Sequence, residues 1–205
     1  MISHLHAIYP TDPTYIDREL QRAIEAGSVR KITTNNNSGD IVIESKYYFR
    51  ILRTSKKSYP RPSQEIFDRF EALLRSKPES TQLTNDDFEI VSISNDSDVG
   101  LLSMSGFLVL EGHAGVYKVS LPNIGLFHKL VFNTRKWLIS LLQRSKFKEM
   151  LEKNIHERWD AAVNAHWRDF KGVRFEWVML ECKGAGWVEP FETPIGIGWR
   201  LTGKR

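Results

Sequence analysis

The stretch from Leu126 to Met150 contains the residues of this chain that are best suited to bind phosphate. Its basic residues are Lys129, Arg135, Lys136, Arg144, Lys146 and Lys148. Its only acidic residue is Glu149, and elsewhere acidic residues slightly outnumber basic ones, so the formal net charge of +4 is concentrated here. A helix-forming segment whose charges are nearly all positive predicts contact with the DNA backbone. The alternative is a solvated helix face whose charges pair with acids elsewhere.

Further basic residues are secondary candidates for DNA contact. They surround the first strand, the first predicted junction and a helix late in the chain. They are Arg30, Lys31, Lys46, Arg50, Arg53, Lys56, Lys57, Arg61, Lys171, Arg174 and Lys183. The predicted hairpin turns at residues 35–40 and 111–115 contain no Lys or Arg, which argues against contact dominated by the hairpins. We therefore expect binding to phosphates with little reading of base sequence.

Catalytic and metal-binding patterns are absent from the sequence. A protein kinase needs a glycine-rich loop, a catalytic-loop Asp and a magnesium-binding Asp, but no GxGxxG, HRD or DFG occurs here. Neither GxSxG nor HExxH is present, and six histidines with one cysteine show no metal-ligand spacing. We predict no catalytic residue, no metal and no cofactor. Cys182 is expected to be buried, and no apolar run approaches the roughly 20 residues of a membrane span.

Helices followed by a short hairpin recur three times along the chain. In the first case Thr14–Ala26 predicts a helix, and the strands 29–34 and 41–44 flank a polar turn. This order is typical of a winged-helix module, whose wing is the hairpin. We predict an α+β fold of three tandem winged-helix domains packed together. Their ranges are 1–59, with a short or truncated first helix, 60–125 and 126–205.

The third predicted domain has less regular signals. Asn133 and Thr134 predict a break in the basic helix, because either residue can cap a new one. Phe132 and Phe147 are expected to be buried. The remaining predictions are a helix over 147–156, a polar joint over 157–173, a helix over 174–183, and strands over 187–192 and 197–201.

Two segments carry a resemblance to a known family. They are IDRELQRAIEAGSVRKI and YKVSLPNIGLFHKLVFNTRKWLISLLQRSKFKEML, in which the pattern lies in Leu121–Gly125, Phe127–Lys129, Arg135 and Arg144–Phe147. The chain resembles the serine/threonine-protein kinase 19 family from about Thr11 to Leu151, and more weakly to Leu201. The resemblance implies three tandem winged-helix domains and a nuclear DNA-binding factor linked to transcription-coupled nucleotide excision repair.

The residues and the resemblance together predict a protein that binds double-stranded DNA in the nucleus and acts in DNA repair. Transcription or repair proteins are expected partners, with no membrane association, and the protein is expected to be a monomer or a homodimer. One alternative is a winged-helix adaptor that binds other proteins. A serine/threonine protein kinase is a third reading, which the absent motifs disfavour.

Overall fold

The computed structural model describes residues 1–34, 39–93, 96–112, 115–170 and 172–204. Helices and short antiparallel strands alternate, which confirms the predicted α+β class. The chain divides into two compact units: Met1–Ile16 with Gly125–Arg205, and Asp17–Ile124. Residues of the predicted domains 1–59 and 60–125 thus fall together in one unit. The division into three domains stays a prediction.

The elements up to residue 124 are α1 (Ile2–Ile8), α2 (Pro13–Glu25), β1 (Val29–Ile32), β2 (Ile41–Glu44), α3 (Ser45–Lys56), α4 (Arg61–Ser76), β3 (Gln82–Thr84), α5 (Asn85–Ile90), α6 (Asp96–Met104), β4 (Leu108–Leu110) and β5 (Val116–Val119). The elements that follow are α7 (Ile124–Gln143), β6 (Glu149–Leu151), α8 (Glu152–Phe170), α9 (Phe175–Gly184), β7 (Val188–Thr193) and β8 (Gly196–Leu201). Residues 35–38, which hold most of the first predicted turn, and 113–114 of the second lie outside the described residues.

One order of elements occurs twice: helix, strand, two helices, then a hairpin. It is formed by α4 to β5 and again by α7 to β8. In both cases the first strand pairs with the last one, which gives the strand orders β3-β5-β4 and β6-β8-β7. All of these pairs are antiparallel. The strands β1 and β2 form a separate two-stranded hairpin.

The unit Asp17–Ile124 has one continuous apolar core. The first hairpin and α3 contribute Ile32, Tyr48 and Leu52, which pack into the same cluster as Phe67 and Phe70 of α4. The hydroxyl group of Tyr48 also donates a hydrogen bond to the carbonyl of Ser120 at 3.1 Å. The boundary predicted between residues 59 and 60, which we call the Tyr59–Pro60 break, therefore does not separate two cores. Residues on both sides of it fold against each other, because neither side buries its apolar surface alone.

Arg30 is a structural residue and not a DNA contact. Its side chain is 2% exposed, and its guanidinium donates to the carbonyls of Leu74, Lys77 and Ser80. A buried cation at the C-terminal end of α4 satisfies carbonyls that lack a partner within the helix. Its neighbour Lys31 forms an ion pair with Asp40 at 2.8 Å. Both secondary candidates at the first strand therefore serve the fold.

The other unit has its own core around Leu138 and Leu142 of α7. Ile155 and Trp159 of α8 pack into this cluster. The rings of Trp137 and Trp159 meet edge to face, with centroids 5.0 Å apart. Predicted as a core residue, Cys182 is buried, and burial raises the pKa of its thiol well above the ordinary value. A thiol in that state is a poor nucleophile.

Three predictions of secondary structure in this unit were wrong. The expected break at Asn133 does not occur, because the hydroxyl of Thr134 bonds back to the carbonyls of Leu130 and Val131 within a continuous α7. The helix predicted from Phe147 is replaced at its start by β6, which pairs with β8. The predicted joint 157–173 is largely helical, since α8 runs to Phe170 with a kink at His166. Pairing partners distant in sequence decided the second outcome.

Candidate nucleic-acid interface

The unbroken helix α7 presents two lysines on one side. Lys129 and Lys136 are exposed, and seven residues separate them, which is close to two helical turns. Apolar residues on the opposite side, among them Val131 and Leu138, are fully buried. Packing of that apolar face fixes the rotation of the helix and so directs both lysines to solvent.

Three further cations follow in the turn between α7 and β6. Arg144, Lys146 and Lys148 are exposed and non-helical, contrary to the predicted placement on a helix. The turn is ordered by three backbone hydrogen bonds, from Ser145 to Leu142 at 3.1 Å, from Lys148 to Ser145 at 3.2 Å and from Leu201 to Lys148 at 3.1 Å. Together, five residues form what we call the basic surface: Lys129, Lys136, Arg144, Lys146 and Lys148.

No acidic residue intervenes between the first and last members of the basic surface. Within the described residues, none of its five side chains forms an ion pair. In the described part of the chain, carboxylates therefore do not neutralise these five cations, contrary to the alternative of a solvated helix face with paired charges. Unpaired, exposed cations lose little when they bind a phosphate, because no internal partner has to be given up.

Arg135 is the exception among the predicted contacts. It is 7% exposed and forms a buried ion pair with Glu181 of α9, which is 1% exposed. Its Nε donates to Glu181 at 3.3 Å, and its guanidinium lies 5.5 Å from the ring centroid of Trp187. The prediction that Arg135 contacts DNA is wrong, because adjacent positions on a helix point about 100° apart and this one faces the core.

Two phenylalanines beside the basic surface are exposed, although the sequence predicted burial for both. Phe132 is 59% exposed and Phe147 is 70% exposed. Each has a lysine over its ring: Lys136 at 5.9 Å and Lys146 at 5.2 Å from the ring centroids. A cation within about 6 Å of an aromatic face is held there by the quadrupole of the ring.

The secondary candidates of α3 separate into paired and unpaired residues. Arg53 forms a bidentate contact with Glu71, and Lys56 contacts Asp68 at 2.6 Å. Arg50 is exposed with its guanidinium 5.2 Å from the ring of Tyr47. Lys57 is exposed and has no ion pair among the described residues. Of these four residues, Arg50 and Lys57 could contact a phosphate without first breaking an ion pair seen among the described residues.

At α9 the two secondary candidates also differ. Arg174 is exposed at the N-terminal end of the helix, where Phe175 is buried. Lys183 is partly buried and donates to the carbonyl of Ala7 at 3.1 Å. This lysine therefore fastens α1 to α9 and is not free for phosphate. Lys171, three residues before Arg174, lies outside the described residues.

The helix α1, which the sequence did not predict, covers part of α9. His4 packs on Trp177 with ring centroids 4.8 Å apart, and its Nε2 donates to the Trp177 carbonyl at 3.1 Å. Gly184 faces the backbone of Ser3 and Ala7 closely. In the predicted winged-helix reading α9 is the recognition helix, so α1 occupies part of its surface. The only advance signal was the apolar content of the first eight residues.

Acid is expected to loosen α1. Burial lowers the pKa of His4, and its buried Nδ1 has no partner within the described residues. His4 therefore binds a proton more tightly when α1 is detached from α9 than when it is docked. The contribution of neutral His4 to the docking of α1 is complete above the ordinary histidine pKa of about 6.5 and is lost as the pH falls below it. The protection factors of the amides of residues 2–8, which compare their exchange with that of an unstructured peptide at the same pH, should fall between about pH 7.5 and 5.5. Protection factors that are higher at pH 5.5 than at pH 7.5 would contradict this sign.

His4→Gln is the matched control for this experiment. Glutamine keeps a donor for the Trp177 carbonyl but does not titrate, so the change between the two pH values should shrink. Part of the effect should remain, because burial also lowers the pKa of the Met1 amino group.

An open groove of about 1140 Å³ lies between α8, α9 and the β7–β8 hairpin. Its lining includes the apolar residues Phe175, Met179, Ile195 and Ile197. Ile195 and Ile197 at the hairpin are exposed. Glu157 and Glu176 are charged residues at its edge. Its volume is slightly above the range of about 300–1,000 Å³ that is usual for small-molecule pockets, and its lining mixes apolar and charged residues.

Two other classes of site are absent from the described part of the chain. No group of three or more His, Cys, Asp or Glu side chains is close enough there to hold a metal ion. Among those same residues, no helix combines the length and the apolar character needed to cross a bilayer.

The fold and the site define an α+β protein with five exposed cations, none of which forms an ion pair among the described residues, on one of its two units. The family described as inactive serine-threonine protein kinase 19 matches residues 1–201 of the chain. This protein belongs to that family, as the motifs around Leu121–Gly125 and Arg144–Phe147 predicted.

One curated relative carries a kinase name. The chain is 26% identical over 209 residues to the serine/threonine-protein kinase mug51 of Schizosaccharomyces pombe. The match covers 98% of this chain and 66% of that protein, so the chain spans just under two thirds of its relative's length. At this identity the name describes the relative alone.

Proposed function

We propose that this protein binds duplex DNA through the basic surface, mainly by contact with phosphates. The observation that carries the proposal is the set of five exposed cations without an ion pair among the described residues. Each Lys or Arg that meets the backbone releases condensed counterions, which gives affinity without a choice of sequence. Arg50, Lys57 and Arg174 are secondary contacts in this proposal, since they are exposed as well.

The proposed architecture is winged helix. The order helix, strand, two helices and hairpin, with the first strand paired to the last, occurs twice and supports two such domains. The hairpin β1–β2, preceded by α2, supports a third, shorter one. Winged-helix proteins dock on DNA with helices and with the hairpin. Here the cations favour α7 and the turn after it over α9, because α1 covers part of α9.

The cellular role is proposed from the family resemblance. It comprises a nuclear location, repair of DNA damage coupled to transcription, and association with transcription or repair proteins as a monomer or homodimer. No kinase reaction is proposed, because the sequence lacks the phosphate loop and both catalytic aspartates, and the family itself is described as inactive.

The salt dependence of duplex binding tests this proposal. Five phosphate contacts predict that affinity falls by about 500-fold between roughly 50 and 200 mM salt. Lys129→Glu combined with Lys136→Glu should weaken binding and reduce the slope by about two contacts. The measurement is fluorescence anisotropy with a short blunt duplex at a series of salt concentrations. A flat salt response would exclude the mechanism.

A matched control variant has the same change in net charge elsewhere. Arg22 and Arg69 are exposed and paired with Glu19 and Glu65, so Arg22→Glu with Arg69→Glu should leave the slope almost unchanged. Thermal unfolding of both double variants checks that the fold is retained. Equal losses in both would mean that only net charge, and not the basic surface, attracts DNA.

Protein binding in the groove beside the β7–β8 hairpin is the second candidate function. Its exposed Ile195 and Ile197 are apolar residues of the kind that mark an interaction site. Ile195→Asp would separate the two functions. It should leave duplex binding intact while removing binding of a partner protein, whereas the lysine reversals should do the opposite.

A further inference from the structure

Phe147 is unusually exposed for a large apolar side chain. It is 70% exposed and lies between Lys146 and Lys148 in the turn that follows α7. This turn is not a loose end: Lys148 donates to the Ser145 carbonyl at 3.2 Å, and its own carbonyl accepts from Leu201. The backbone of Lys148 adopts φ +58°, a left-handed conformation that a lysine rarely takes. The ring is therefore held in solvent by an ordered turn.

The surroundings of the ring limit what can bind it. The Lys146 ammonium lies 5.2 Å from the ring centroid, and Arg144 and Lys148 are exposed nearby in sequence. A ligand that fits must therefore offer a flat apolar face and negative charge next to it. A nucleotide combines these features, because its base stacks on an aromatic ring while its phosphate meets the cations.

A base inside a duplex cannot offer its face to such a ring, because both faces are already stacked on neighbouring base pairs. The base must therefore be unpaired. Phe132 repeats the arrangement, with Lys136 one turn further along α7 and 5.9 Å from the ring centroid. Phe132 lies eleven residues before Gln143, the last residue of α7, and eleven helical residues span about 16 Å. Phe132 and Phe147 in the turn are therefore too far apart to hold adjacent bases, and the stacking position inferred here is Phe147 alone.

We propose that Phe147 stacks on an unpaired base, so that the preferred nucleic acid has a single-stranded stretch next to duplex. This inference rests on the proposed DNA-binding function of the basic surface. Lys129 and Lys136 would hold phosphates of the duplex, while the turn from Arg144 to Lys148 receives the unpaired strand. The phosphate contacts supply most of the affinity, and the ring supplies the preference for the junction.

The test compares a blunt duplex with the same duplex carrying an unpaired oligo-dT tail, both followed by fluorescence anisotropy. Stacking of one base predicts that the tailed duplex binds about fivefold tighter or more. Phe147→Ala should remove this preference and leave the affinity for the blunt duplex within about twofold. Phe147→Trp should retain the preference, because the larger ring stacks at least as well. The fluorescence of a 2-aminopurine placed in the tail should change on binding of proteins with an aromatic residue at position 147, and should not change on binding of Phe147→Ala.

Control variants separate stacking from general effects. Tyr15 is 52% exposed and lies between Asp12 and Asp17 in sequence, so Tyr15→Ala should change neither affinity. Lys146→Gln should weaken the tailed duplex at least as much as the blunt one, since it removes a phosphate contact in the turn that receives the unpaired strand but keeps the Phe147 ring. Equal effects of Phe147→Ala on both duplexes, or no effect on either, would overturn the inference.

The remaining outcomes distinguish this inference from the proposed function. Normal blunt-duplex binding without a tail preference refutes the stacking position alone. A failure to bind either duplex refutes both. Vesicles of phosphatidylserine form the last arm: if Phe147→Ala releases the protein from vesicles while tailed and blunt duplexes bind alike, the ring inserts into lipid and the inference is wrong.

Discussion

Arg135→Met is expected to lower the free energy of unfolding by about 3–5 kcal/mol. The substitution leaves the Glu181 carboxylate buried without its charged partner, and an uncompensated buried charge is far more costly than the pair itself contributes. It also removes the guanidinium from the Trp187 ring, 5.5 Å away. Urea denaturation followed by circular dichroism measures the change.

The matched control is Arg144→Met. Arg144 has the same charge but is exposed and has no ion pair among the described residues, so its replacement should change stability by less than about 0.5 kcal/mol. It should weaken DNA binding, whereas Arg135→Met should act through the fold. Equal stability of both variants would contradict the buried position of Arg135.

The double variant Arg135→Met with Glu181→Met completes the cycle. Two apolar side chains of similar size remove both buried charges, so much of the lost stability should return. A double variant less stable than either single variant would mean that the pair is needed for packing and not for charge balance.

Gly184→Ala is expected to detach α1 from α9. A Cβ at this position would overlap the carbonyl oxygen of Ser3 and lie 3.1 Å from the backbone nitrogen of Ala7. Both obstacles are backbone atoms, so a rotamer change cannot relieve the overlap and α1 must move. Overpacking of this kind costs typically about 1–3 kcal/mol. Thermal unfolding and amide exchange of residues 2–8 measure the two effects.

Gly100→Ala provides the control for helix propensity. Gly100 lies within α6, and a Cβ there meets nothing within 4 Å. Alanine should therefore stabilise that helix by up to about 1 kcal/mol. If Gly184→Ala behaves like Gly100→Ala, with residues 2–8 still protected, the close approach of α1 to α9 is wrong.

Gly184→Ala also separates two modes of DNA contact, one through α9 and one through the basic surface. Release of α1 uncovers α9, so binding that depends on α9 as a recognition helix should become tighter in Gly184→Ala. Binding through the basic surface should not change, because Lys129 and Lys136 lie on α7 and not on α9. The proposal made here requires the second result.

Local signals in the sequence were sufficient for much of the fold. The glycine after Ala26 ends a helix predicted over Thr14–Ala26 and observed as α2. The helix over 174–183 and the strands that follow it were also predicted within about two residues. These elements have strong periodicity and clear end signals, which depend on neighbours in sequence alone.

The features that failed depend on partners that are distant in sequence. The strand β6 forms because Met150 pairs with Trp199 in β8, and three residues are too few to show a pattern. Arg135 and Lys136 are adjacent and equally basic, but only one meets Glu181, 46 residues later. The exposed rings of Phe132 and Phe147 broke the rule that aromatic residues are core, which is where functional surfaces depart from pattern.

The core shared across the Tyr59–Pro60 break determines where this chain can be cut for mapping studies. A piece that ends at residue 59 would carry Tyr48 and Leu52 without the phenylalanines of α4 that cover them. Interaction maps drawn from such pieces would report misfolding as loss of a binding site. The stretch Asp17–Ile124 keeps every contributor to that core together, and a fragment for isotope labelling or crystallisation should begin at Pro13, so that α2 is kept whole.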